Sequence, residues 1–160
     1  MSESLYIPEN SSRSEIYEAI IPQIEAIISS ENNLIANLAN VTAIIKEAFN
    51  FFWIGFYLVD TPDELVLGPF QGTLACTRIK RSRGVCGAVF ASGVTEIVPD
   101  VEQFPGHIAC SSLSKSEIVV PVFGANGEMI AVLDVDSDEL NTFDEVDKLY
   151  LEKIALLISR

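Results

Sequence analysis

Glu117-Ile118-Val119-Val120-Pro121-Val122-Phe123-Gly124-Ala125-Asn126-Gly127-Glu128-Met129-Ile130-Ala131-Val132-Leu133-Asp134-Val135-Asp136 is the stretch whose reading decides the fold. Two runs rich in valine and isoleucine flank Asn126-Gly127. β-Branched side chains suit a pleated surface, and Asn-Gly tolerates the positive φ angles of a tight hairpin turn. The pattern predicts a strand over 117–123, a turn over 124–127 and a strand over 129–136. Upstream, Phe51-Phe52-Trp53-Ile54-Gly55-Phe56-Tyr57-Leu58-Val59 is aromatic and β-branched. It reads as a strand buried on both faces. Asp60-Thr61-Pro62-Asp63 is a turn, and Glu64-Leu65-Val66-Leu67-Gly68 opens the partner strand of a second hairpin.

Helical periodicity brackets these hairpins. From Arg13 to Ser30, Ile16, Ala19, Ile20, Ile24, Ile27 and Ile28 recur at helical spacing, with Pro22 expected to kink or split the helix. A second amphipathic run, Asn33 to Phe49, carries Leu34, Ile35, Leu38, Val41, Ile45 and Ala48. At the far end, Thr142-Phe143-Asp144-Glu145 fits a capping box, with Thr142 as cap and Glu145 reaching back. The helix after it carries Val146, Leu149, Tyr150, Ile154 and Leu157 on one side. Residues 1–12 are polar and read as a flexible N-terminal arm. The segment from Pro69 to Ser116 is irregular and rich in glycine and proline, as binding loops require. Within it, Cys86 to Ala91 reads as a short helix and Thr95 to Val98 as a short strand. The whole is an α+β domain, a central antiparallel β-sheet with helices on one face, spanning 1–160 as one unit.

At 160 residues, 49% apolar and 21% charged, the chain is globular and large enough for a real core. A net charge of -13 repels phosphate backbones and anionic lipid, so nucleic acid and membrane are poor partners. No stretch approaches a spanning helix, and the first residues lack the basic and apolar regions of a secretory signal. A cytoplasmic location is expected. There, three cysteines point to transient thiol chemistry and not to a static disulfide framework.

Cys110 is the leading candidate for that chemistry. It lies in Phe104-Pro105-Gly106-His107-Ile108-Ala109-Cys110-Ser111-Ser112, three residues after His107, the one histidine in the chain. A thiolate is the nucleophile, so a reactive cysteine needs a lowered pKa or a base nearby. Cys76 and Cys86 lie upstream in glycine-rich surroundings and are candidate resolving thiols. Cys76, Cys86, His107 and Cys110 also offer zinc-ligand types, but no closely spaced cysteine pair anchors a metal site, so none is expected. A single cysteine is commonly a small inert core residue. Three in one glycine-rich segment favour redox chemistry.

Asp134 and Asp136 alternate with Leu133 and Val135, which places both carboxylates on one face of the strand. Glu117 opens the preceding strand and brings a third carboxylate close. Two readings stand: a solvated face, or an acidic patch that binds an ammonium or donates a proton. Trp53 lies on the strand face opposite Phe52, Ile54 and Phe56; it is either core or the wall of a pocket for a methyl or thioether group. Arg78 and Lys80-Arg81-Ser82-Arg83 form the basic cluster of the chain, either a solvated loop or a holder for a substrate carboxylate.

Taken together, Gly68-Pro69-Phe70-Gln71-Gly72, Ala75-Cys76-Thr77-Arg78-Ile79, Gly84-Val85-Cys86-Gly87, Val98-Pro99-Asp100-Val101, the segment Phe104 to Cys110, Ser116-Glu117-Ile118-Val119-Val120-Pro121 and Leu133-Asp134-Val135-Asp136-Ser137 resemble free methionine-(R)-sulfoxide reductases, small enzymes of the GAF-domain type. The resemblance runs from about Trp53 to Ser137 and suits the flanking helices. It implies a GAF-like fold and reduction of the R epimer of the free amino acid. It implies Cys110 as catalytic cysteine, Cys76 as the usual resolving partner and Cys86 as auxiliary. Glu117, Asp134 and Asp136 would shape the substrate site, and Trp53 would help enclose it. The cycle would pass through a cysteine sulfenic acid and a disulfide, regenerated by a thioredoxin-like donor, with no cofactor. The alternative is a non-catalytic GAF module that binds a small ligand, although its thiols would then be idle. The exposed aromatic and helical faces permit a homodimer.

Overall fold

The computed structural model describes residues 4–159. Helix α1 (Arg13–Ser29) and helix α2 (Leu34–Phe49) come first. Strands β1 (Trp53–Thr61), β2 (Glu64–Gln71) and β3 (Arg78–Lys80) lead to helix α3 (Gly84–Ser92). Strand β4 (Glu96–Val98) and a short 3-10 turn (Val101–Gln103) precede β5 (Ser116–Phe123), β6 (Met129–Ser137) and helix α4 (Glu145–Ile158). The six strands form one sheet in the order β3-β2-β1-β6-β5-β4, and every neighbouring pair is antiparallel. Both expected hairpins form. Gly127 turns the second with a φ of 82°, which an L side chain rarely adopts.

The period of two sorts the strand residues onto two faces. Ile54, Phe56, Ile118, Val120, Leu133 and Val135 face the main core, with Ile20 and Ile24 of α1, Leu38 and Ile45 of α2, and Leu151 and Ile154 of α4. Trp53, Tyr57, Val119 and Val132 face the other way, against Val85, Cys86, Val89 and Phe90 of α3. The sheet is therefore covered on both sides, and the expectation of helices on one face is corrected. Nearly every residue of α3 is apolar or glycine, so it shows little helical stripe, and periodicity gives no sign of which face it covers.

Two further expectations change. Pro22 does not split α1, which runs unbroken from Arg13 to Ser29. Pro22 faces solvent, and Ile20 and Ile24 on either side of it are fully buried, so core packing holds both halves in one helix. The cap of α4 is Asp144, not Thr142. Asp144 accepts from the backbone N–H groups of Val146 and Asp147, and Asp147 accepts from that of Asp144. The Asp144–Asp147 frame wins because Asp147 is fully buried and also accepts from Arg13 (2.7 Å) and from the Tyr17 hydroxyl (2.9 Å). Of the expected arm, residues 1–3 lie outside the described residues. Tyr6 exchanges two hydrogen bonds with the side chain of Gln23, Leu5 packs against the core, and Ser12 caps α1. Among the described residues no helix is long and apolar enough to cross a membrane.

Candidate active site

Strand pairing builds the floor of the site. Trp53 of β1 pairs with Asp136 of β6, which pairs with Glu117 of β5. One residue pair along, Gly55 pairs with Asp134, and Asp134 with Val119. Three carboxylates and an indole thus occupy two adjacent rows on the face that α3 covers. The alternation of Asp134 and Asp136 with Leu133 and Val135 holds, since the two apolar residues belong to the opposite core.

The carboxylates lie in a pocket and not on a solvated face. The pocket is narrow, with room for water-sized occupants of about 40 Å³. Glu117, Asp134 and Asp136 share its lining with Trp53, Tyr57 and Cys86, and Cys110 and His107 stand on the opposite loop. Burial pushes Glu117 and Asp136 well above the ordinary carboxylate range, and the neighbouring Asp134 adds to both shifts. Burial also raises Asp134, to about 6, against hydrogen bonds from Glu117 and Cys86 that favour its charged form. Its Oδ1 is buried without a hydrogen-bond partner. Cys86 is a free buried thiol 4.0 Å from Glu117 Oε1, and burial together with the Asp134 and Glu117 charges drives its pKa up. Cys86 is thus held as a neutral thiol. At His107, desolvation lowers the pKa, so the ring is biased toward the neutral form; its Nδ1 is buried and unpaired.

At the mouth, Cys76 and Cys110 are joined as a disulfide with a Cα–Cα distance of 5.3 Å. The zinc set of Cys76, Cys86, His107 and Cys110 is not assembled, because two of its sulfurs are bonded to each other. Cys86, Glu117 and Asp134 do bring their donor atoms within 4.8 Å of one another.

Tyr57, Thr73 and Gly55 matter here and carry no sequence signal. Trp53 Nε1 donates to the carbonyl of Thr73 (3.0 Å), and the Tyr57 hydroxyl donates to the carbonyl of Cys76 (3.1 Å). The aromatic wall therefore holds the loop that carries Cys76. A Cβ at Gly55 would lie 2.4 Å from the Trp53 ring and 2.5 Å from Phe70 Cβ, so only glycine lets the indole lie across the strand. Phe52, expected on the face opposite Trp53, precedes β1 and lines the same pocket, because strand alternation begins only at Trp53. Of the basic cluster, Arg83 reaches the pocket. Arg78 of β3 is instead engaged by Asp60 of β1 and Glu64 of β2.

Comparison with known proteins places this geometry. A GAF-domain family model matches residues 35–160. The chain is 63% identical to "GAF domain-containing protein A" of Dictyostelium discoideum, over 99% of each chain. It is 40% identical to the free methionine-R-sulfoxide reductase of Saccharomyces cerevisiae, over 94% of this chain and 88% of that one. The chain belongs to the free methionine-R-sulfoxide reductases of the GAF-domain type. Among solved structures, the free methionine-R-sulfoxide reductase of Neisseria meningitidis in complex with its substrate superposes with a TM-score of 0.94 at 54% identity, covering 98% of this chain and 93% of that one. As a member of this oxidoreductase family, the chain has a GAF fold with one sheet face given to the pocket and the other to the core.

Proposed function

We propose that this chain reduces free L-methionine-(R)-sulfoxide to L-methionine, with Cys110 as nucleophile and Cys76 as resolving thiol. The observation that carries the reading is the Cys76–Cys110 disulfide at the mouth of a pocket floored by three buried carboxylates. The Cys110 thiolate attacks the sulfoxide sulfur, and a proton from the pocket goes to the sulfoxide oxygen. That oxygen passes to Cys110, methionine leaves as the thioether, and Cys110 becomes a sulfenic acid. The Cys76 thiol displaces water from it and forms the disulfide. A thioredoxin-like dithiol then returns both sulfurs to thiols by exchange. Overall, two thiols and one sulfoxide give one disulfide, one thioether and one water.

The carboxylates divide this work by protonation state. Glu117 and Asp136, raised well above the ordinary range by burial and by the neighbouring Asp134, are the groups suited to donate the proton. Asp134, at about 6, is the ionised member and suits the substrate's ammonium with its unpartnered oxygen. Arg83 on the pocket wall suits the substrate's carboxylate. Trp53 and Tyr57 offer an apolar wall to the methyl and thioether end. Cys86 is auxiliary, since its buried neutral thiol is a poor nucleophile.

A coupled thioredoxin assay tests this reading. We expect turnover with free L-methionine-(R)-sulfoxide, none with the S epimer, and at most about 1% of the rate with N-acetylated substrate, because acetylation removes an ammonium worth roughly 3 kcal/mol beside a buried carboxylate. Robust turnover of the N-acetylated form would overturn the ammonium role of Asp134. Silence on all three substrates, in a folded and reduced chain, would favour a ligand-binding GAF module.

A further inference from the structure

The Cys76–Cys110 disulfide joins two uncharged segments of a strongly acidic chain. Charged residues make up 21% of the sequence, yet none occurs from 65 to 77 or from 103 to 114, the two segments that carry these cysteines. Two large apolar side chains stand out in solvent beside the disulfide, Leu74 at 89% exposure and Leu113 at 58%. Loss of charge around exposed apolar side chains is the composition of an interface core. A disulfide at its centre selects the occupant, since a protein that exchanges thiols with it must cover this face.

The two sulfurs are not equivalent. Cys76 is half-buried, and its loop is tied to the sheet by Trp53 at Thr73, by Tyr57 at Cys76 and by the Leu67 N–H at Thr77. Cys110 is exposed. Its loop is tied to the start of α3 by one backbone bond, from the Gly84 N–H to the Gly106 carbonyl, and nearer the cysteine the bonds are local, His107 to Phe104 and Cys110 to Ile108. Thiolate attack requires access to the sulfur along the S–S axis, so the exposed partner on the less tethered loop is the one approached.

We propose that the face built from the uncharged segments 72–77 and 108–114 is the docking surface for the protein dithiol that recycles this chain, and that the donor thiolate attacks Sγ of Cys110. This rests on the thiol cycle given above. Attack forms a donor–Cys110 disulfide, breaks the bond to Cys76 and releases Cys76 as a thiolate that takes up a proton. The donor's second thiol then attacks its own sulfur in the mixed disulfide. Cys110 leaves reduced, and the donor carries away the two electrons' worth of oxidation as its own disulfide.

The test compares a bacterial thioredoxin with dithiothreitol as reductant, using Leu113→Ser and Leu113→Glu. Removing one apolar anchor should raise the KM for thioredoxin roughly tenfold, with the charged variant worse, while dithiothreitol-supported turnover stays at the unsubstituted level. An unchanged KM for thioredoxin, or an equal loss with both reductants, would overturn the docking surface. A thioredoxin with its second active-site cysteine replaced by serine should be trapped on Cys110 of the oxidised chain, as read by peptide mapping. An adduct on Cys76 would overturn the direction of attack. Absence of turnover even with dithiothreitol in the unsubstituted chain would overturn the thiol cycle itself, and the docking surface with it.

Discussion

In the proposed reading, Asp134 serves the site at the expense of the fold. It is buried at 6% exposure, its Oδ1 has no partner, and its pKa rises from the usual 3.8 to about 6. A folded-state pKa above the unfolded one means the native state binds more protons between those values. Its contribution is fully present below about pH 3.8 and is lost as pH rises through about 6. A rise of this size corresponds to roughly 3 kcal/mol. Asp134→Asn should therefore stabilise the unliganded chain above pH 6 by up to roughly 3 kcal/mol and change little near pH 3.5. Denaturant unfolding at the two pH values checks this. The same substitution should raise the KM for the sulfoxide strongly, since the ammonium loses its counter-charge. Equal stability effects at both pH values would remove the charge as the cause.

At the scale of elements, the buried Asp147 joins the first and last helices of the chain. Its carboxylate closes the cap of α4 and accepts from Arg13 and Tyr17 of α1. Removing the carboxylate leaves the Tyr17 hydroxyl without its acceptor, at about 1–3 kcal/mol, while Arg13, 37% exposed, turns to solvent. Asp147→Ala should lower stability by that amount in urea unfolding, with the catalytic pocket on the far side of the sheet unaffected in KM once the chain is folded. A loss below 1 kcal/mol would mean that the cluster adds little to its hydration in the unfolded chain. The element scale also separates what sequence reveals from what it does not. All the strands but β3, both hairpins and the shared face of Asp134 and Asp136 were legible because the period of two and Asn126-Gly127 are local signals. The cap of α4 was not, since Thr142 and Asp144 open overlapping capping frames and Tyr17 and Arg13, far away in sequence, decide between them. The side taken by α3 was not legible either, because a helix apolar all round carries no facial preference.

For the whole molecule, the sheet divides labour. One face is a large apolar core under three helices, and the other spends its burial on carboxylates, a thiol and two aromatic walls. The candidate thiols, carboxylates and Trp53 could all be singled out in the chain by type and spacing. Their mutual geometry could not, since Tyr57, Thr73 and Gly55 act through contacts across separate segments. The central claim is that Cys110 attacks and Cys76 resolves across the mouth of this pocket. A single-turnover experiment with Cys76→Ala tests it most directly: reduced protein is mixed with free L-methionine-(R)-sulfoxide, methionine is quantified, and the protein is trapped with dimedone and mapped. The expected result is about one methionine per chain and a dimedone adduct on Cys110, with no further turnover by thioredoxin. Sustained thioredoxin-driven turnover, or an adduct on Cys86 with Cys110 unmodified, would contradict the account.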